Sequence, residues 1–185
     1  MKLSSIPAIL VLFLASLVPF LVSKGLDAAI ANYSIQYQIR DLLKSLNSGP
    51  WQPVVFGLSF GLAIRALSQQ HNRATREEVF AFTLLCALVK VCLLYGGALI
   101  IGFLALAHIP PLVFMSTLEA LFLALIAWKG LYVNLGGLGV FLTTLLGLAI
   151  GVVLTLYTGF PINVSAHWYT IVGTFMGLFA ALDRA

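Results

Sequence analysis

Residues 75–129, TREEVFAFTLLCALVKVCLLYGGALIIGFLALAHIPPLVFMSTLEALFLALIAWK, decide the fold. They read as two long apolar helices joined at His108-Ile109-Pro110-Pro111. Thr75 and Glu78 have capping-box spacing, Thr-x-x-Glu ahead of an apolar run, so the first helix begins there. Its apolar run covers residues 79–107. Counted from the cap, the helix is roughly 48 Å long at helical rise, against a hydrocarbon core of ~30 Å. Tilt or projection into the cytosol must absorb the excess. Pro110-Pro111 forces a tight turn, and Pro111 suits a first helical turn, where a missing N–H costs little. The second helix covers residues 111–128 and ends at Lys129-Gly130. Two charges are embedded in this hydrocarbon, Lys90 and Glu119.

The rest of the chain has the same character. Its 185 residues are 61% hydrophobic and only 9% charged. A water-facing surface needs roughly 25% charged residues, so lipid must face most of this protein. The net charge of +4 then reports orientation rather than nucleic-acid binding. Cys86 and Cys92 lie six apart on one helix, too far round and along it to bridge each other. They read as structural thiols.

Four further apolar runs cover residues 6–22, 51–67, 139–157 and 167–182. The first resembles a signal peptide in its basic start, but the spans that follow favour a retained helix, kinked at its far end by Pro19. Between the first two runs, Ile35, Ile39, Leu42, Leu43 and Leu46 share one helical face, opposite Gln36, Arg40, Asp41 and Lys44. Residues 35–46 are therefore expected to form an amphipathic helix on the membrane surface or on a partner. The expected fold is all-α: a polytopic transmembrane bundle of about six spans, forming one domain over residues 1–185, plus this surface helix. Lys2, Arg65, Arg73, Arg76, Lys129 and Arg184 would gather on one side. Lys24, Arg40 and Lys44, offset by Asp27 and Asp41, would lie on the other. The positive-inside rule then places both termini in the cytoplasm, here of a bacterial inner membrane.

Few positions offer chemistry. Glu119 falls near the middle of its span, where an acid is expensive and by default suggests a site. It reads either as an ion- or proton-coupling group or partner contact, or as a protonated carboxyl bonded to Thr170 or Thr174. Lys90 invites a salt bridge to Glu119, but depth argues against one. Counted from the apex the two differ by about 14 Å, and their side chains lean apart. Lys90 is therefore expected to snorkel to the inner interface. It also shares a helical stripe with Thr83, Ala87, Leu94 and Gly97, which leaves open an inward-facing Lys90 that joins Glu119 in ion or proton coupling or in contacting a partner. His71, His108 and His167 sit at span ends and make no metal site. Gly57/Gly61, Gly147/Gly151 and Gly173/Gly177 are Gly-xxx-Gly pairs that let helices approach closely, and one of them could serve a subunit interface.

The sequence carries no Gly-x-Ser-x-Gly, His-Glu-x-x-His, Walker or dinucleotide-binding glycine motif. No cofactor, metal or nucleic-acid partner is implied. The expected function is therefore non-catalytic: a small inner-membrane protein that binds a protein partner or a second copy of itself, as an accessory subunit or an immunity-type protein. The alternative is a small ion- or solute-transporting protein or channel that uses Glu119.

Overall fold

The protein, in a computed structural model, is described over residues 5–31, 36–48, 51–67, 74–106, 110–131, 133, 135–156 and 164–182. Among these are seven helices and no strand: α1 (Ser5–Ala31), α2 (Tyr37–Ser48), α3 (Trp51–Leu67), α4 (Arg76–Leu106), α5 (Pro111–Gly130), α6 (Gly136–Leu156) and α7 (Val164–Leu182). The local signals in residues 75–129 act as their chemistry requires. The Thr75 N–H donates to Glu78 Oε2 at 2.7 Å, and the Glu78 N–H donates to Thr75 Oγ1 at 3.1 Å. Two otherwise orphaned amides are thus satisfied at the start of α4. Arg65 at the end of α3 fastens the same corner, its Nη1 donating to the Ala74 carbonyl at 2.6 Å. Pro111 opens α5. Gly136 takes φ +57° where the chain turns into α6, a conformation that costs glycine little.

Four stretches are long and apolar enough to cross a membrane: Pro7–Ala31, Arg76–Gly96, Pro111–Gly130 and Gly136–Leu156. Trp51–Leu67 and Trp168–Phe179 are apolar but shorter. The exterior is unlike that of a water-soluble bundle, and several polar side chains lie within the apolar core. Leu10, Leu14, Leu58, Leu62, Phe80, Leu84, Leu88, Phe141 and Leu145 point outward, while Ser16, Gln52, Thr83, Ser116, Glu119 and Thr143 are buried. That pattern fits a membrane-embedded protein, in which lipid solvates the apolar exterior and polar side chains hold helices together.

α5 packs mainly on α6, α1 on α7, and α3 on α4, with α4/α5, α1/α3 and α6/α7 contacts closing a ring. Each of the three tightest pairs is built on one of the glycine pairs. A Cβ on Gly57 would lie 2.8 Å from Thr83 Cα, one on Gly151 2.7 Å from Val113 Cα, and one on Gly177 2.8 Å from Leu12 Cβ. Gly61, Gly147 and Gly173 face the same neighbours, Val79, Ser116 and Ser16. All six have close neighbours within the chain. The contacts also fix direction, since indices rise along one helix of each pair as they fall along the other. The pairs are antiparallel, and α7 ends beside the start of α1.

Pro19 does not end α1, which runs on to Ala31. A helical proline strips the hydrogen bond from the carbonyl four residues earlier, here that of Ala15. Ser59 of α3 donates to that carbonyl at 2.8 Å, and Thr170 of α7 donates to the next one, that of Ser16, at 3.1 Å. The backbone defect thus ties three helices together, as hydrocarbon surroundings demand. Ahead of α3, α2 begins and ends two residues later than expected and rests on α1 and α3, with Ile39 and Leu42 about half exposed.

Candidate functional site: a lysine, a glutamate and a tyrosine inside the bundle

Glu119 is buried on the inner face of α5, which it shares with Ser116, Ala120 and Leu123. Both carboxylate oxygens are occupied. Oε2 accepts from Lys90 Nζ of α4 at 2.8 Å, and Oε1 accepts a short hydrogen bond from the Tyr169 hydroxyl of α7. Lys90 Nζ also lies 5.9 Å from the centre of the Tyr169 ring. Two expectations are corrected here. Lys90 does not snorkel to an interface; it turns to Glu119. Thr170 and Thr174 do not bond the acid either, because their hydroxyls donate to the backbone carbonyls of Ser16 and Thr170.

The depth count fails for a geometric reason. It takes the turn as a common origin for both helices. Sixteen residues separate Lys90 from the end of α4, about 24 Å, but only eight separate Pro111 from Glu119, about 12 Å. With the two side chains in contact, α4 overshoots the start of α5 by about 12 Å, less whatever the side chains span.

The same bookkeeping shows what surrounds the pair. Extending the Gly57–Thr83 register puts Trp51, where α3 begins, level with Val89. The α1 contacts put Tyr169 level with Phe20 and Trp51 level with Ser23. The start of α3 therefore coincides in height with the ion pair, and α7 begins about 7 Å beyond Tyr169. α3 covers α4 only as far as Lys90. Lys90 keeps 21% of its side chain exposed, against 7% for Glu119.

The surroundings are closely packed. Tyr169 is fully buried, stacked on Phe56 at 5.2 Å and edge-on to Trp168 at 5.0 Å. Phe56 continues the column to Phe60, and Phe60 to Phe82. One turn before Glu119, Ser116 accepts from Trp168 Nε1 and donates to the Gly147 carbonyl, each at 2.7 Å. α5, α6 and α7 are thereby pinned around the acid. Cys86, one turn before Lys90, is buried and unbridged, and Cys92 is exposed and unbridged.

The arrangement can hold one positive and one negative charge with no net charge. Each ion alone would cost several kcal/mol to desolvate, and the pair with its extra hydrogen bond offsets that cost. The lysine ammonium has three donors, and a single described acceptor takes one of them. No group of three or more His, Cys, Asp or Glu with metal-holding geometry occurs among the described residues. His71 and His108 lie outside the described residues, as does the side chain of His167. Tyr169 escaped the sequence reading because a tyrosine near the start of an apolar helix resembles an interface anchor. The available signal was its place beside Trp168 in a helix with few other polar groups. No family model, curated protein or solved structure matches this chain.

Proposed function

We propose that the protein is a small transport protein of the bacterial inner membrane that uses the Lys90–Glu119–Tyr169 cluster as its coupling site. The observation that carries this reading is the ion pair itself, inside the bundle, roughly mid-length on α4 and α5. Ionisable groups at such depth are costly and belong with ion pathways and relays. The pairing, which the sequence argued against, moves the reading from partner binding to transport. The proposal includes six spans with both ends in the cytoplasm. Its supports are the alternating helix directions, the apolar character of α3 and α7, and the clustering of Arg65, Arg76 and Lys129 at the end where α1 begins.

Purified protein in liposomes carrying a pH dye is expected to move protons or a solute, and Glu119→Gln is expected to cut that flux at least tenfold. Equal flux through the wild type and Glu119→Gln would dismiss the reading. A second reading is a partner-binding subunit or immunity-type protein. The half-exposed Ile39 and Leu42 of α2 favour it, since they offer an apolar edge beside the bundle. Crosslinking from α2 in cells that recovers one defined protein would support it.

A further inference from the structure

We propose that Lys90 is a binding site for a small monovalent anion, a carboxylate in the first instance, and that Glu119 takes up one proton for each anion bound. This rests on the transport reading and names its substrate class. The argument begins with which partner is reachable. Glu119 has both oxygens engaged and is nearly covered, whereas Lys90 is one-fifth exposed and engages one described hydrogen-bond acceptor. An incoming ligand therefore meets the Lys90 side chain before Glu119, and its ammonium, with donors to spare, selects an anion.

Charge balance then fixes the proton. The resting pair is neutral. An anion added to it would leave one net negative charge in a low-dielectric bundle, which is expensive. If a proton from water enters on a Glu119 oxygen as the anion arrives, the loaded site holds a neutral carboxyl, an ammonium and the anion. It is neutral again, with no covalent bond to the ligand made or broken. The anion accepts N–H groups from Lys90 in place of the lost carboxylate. The Tyr169 hydroxyl can rotate and still bond the carboxyl.

Among the described residues, the titratable groups beside Glu119 are Lys90 and the thiol of Cys86 on α4 and the phenol of Tyr169 on α7. The buried α6 residues on the α5 side include Thr143 and Gly147, and neither titrates near neutral pH. Glu119 supplies the carboxylate in this set, and a carboxylate oxygen is the site for the proton.

A carboxylate can reach Lys90 from water or from lipid, as a soluble monocarboxylate or as a fatty acid. The test uses acetate and decanoate as separate arms. Each is added to purified protein in weakly buffered detergent solution, with binding read by calorimetry and proton uptake by a pH dye. One proton is expected per anion bound, so apparent affinity should fall as pH rises. Response to acetate identifies a soluble substrate, and response to decanoate alone identifies a lipidic one. Glu119→Gln is expected to bind without proton uptake, and the anion should raise its melting temperature more than that of the wild type. The paired variant Lys90→Met/Glu119→Gln, which leaves no buried charge, should fold and bind nothing. Wild-type binding without proton uptake, absence of binding in both arms, or binding retained by the paired variant would each overturn the inference. If binding fails while Glu119→Gln still alters proton or cation flux in liposomes, the transport reading survives and the anion assignment does not.

Discussion

Lys90 of α4 and Glu119 of α5 meet at 2.8 Å in the interior of the bundle, each providing the counter-charge that permits the other to be there. Removing one member leaves a buried charge uncompensated, which typically costs ~3–5 kcal/mol, whereas replacing both can be nearly neutral. Lys90→Met and Glu119→Leu are each expected to lower unfolding free energy in mixed micelles by about 3 kcal/mol, and the double variant by far less than their sum. Additive losses would show that the two side chains do not interact.

Tyr169→Phe keeps the ring and its stacking on Phe56 but removes the donor to Glu119. A hydrogen bond to a charged group contributes roughly 1.5–3 kcal/mol. The variant should lose stability on that scale in the same assay, and nothing further once Glu119 and Lys90 are both apolar. An equal loss in that background would assign the effect to packing.

Glycines divide by what lies opposite them. A Cβ at Gly151 would lie 2.7 Å from Val113 Cα and 3.0 Å from the Leu112 carbonyl, neither of which can swing aside. Gly151→Ala is expected to cost ~1–3 kcal/mol by forcing α5 and α6 apart. Gly25 has open space around it, and Gly25→Ala should be neutral or stabilising by up to about 1 kcal/mol. Melting temperatures of the two variants check the contrast directly.

Ser59 and Pro19 are coupled through one carbonyl. Ser59→Ala should cost about 0.6 kcal/mol, a typical interhelical bond in a membrane protein. In a Pro19→Ala background the backbone N–H returns to the Ala15 carbonyl, so the same substitution should cost clearly less. A double-mutant cycle of the four proteins measures the coupling, and a cycle that closes at zero would contradict it.

Local chemistry was largely legible in the sequence. The capping box at Thr75 and Glu78, Pro111 at the first turn of α5, and α3 over Trp51–Leu67 follow from short-range rules of hydrogen bonding and backbone geometry. The glycine pairs were legible as contacts but not as to partner, because one helix's sequence does not say which neighbour its small face meets. Lys90–Glu119 was hidden for a related reason. Its registry depends on how far α4 overshoots α5, which packing against α3 and α6 sets and no count from the turn can supply. The use of Ala15 and Ser16 by Ser59 and Thr170 was hidden too, since it joins residues distant in sequence. Pro19 was the visible sign that some carbonyl nearby would need a donor.

The most direct test is a distance measurement in a bilayer. Rotational-echo solid-state NMR on protein with labelled lysine ¹⁵Nζ and glutamate ¹³Cδ should show a strong short-range coupling, as the 2.8 Å Nζ–Oε2 contact requires, and Lys90→Met should abolish it. A wild-type spectrum without that coupling, or one unchanged by Lys90→Met, would contradict the account.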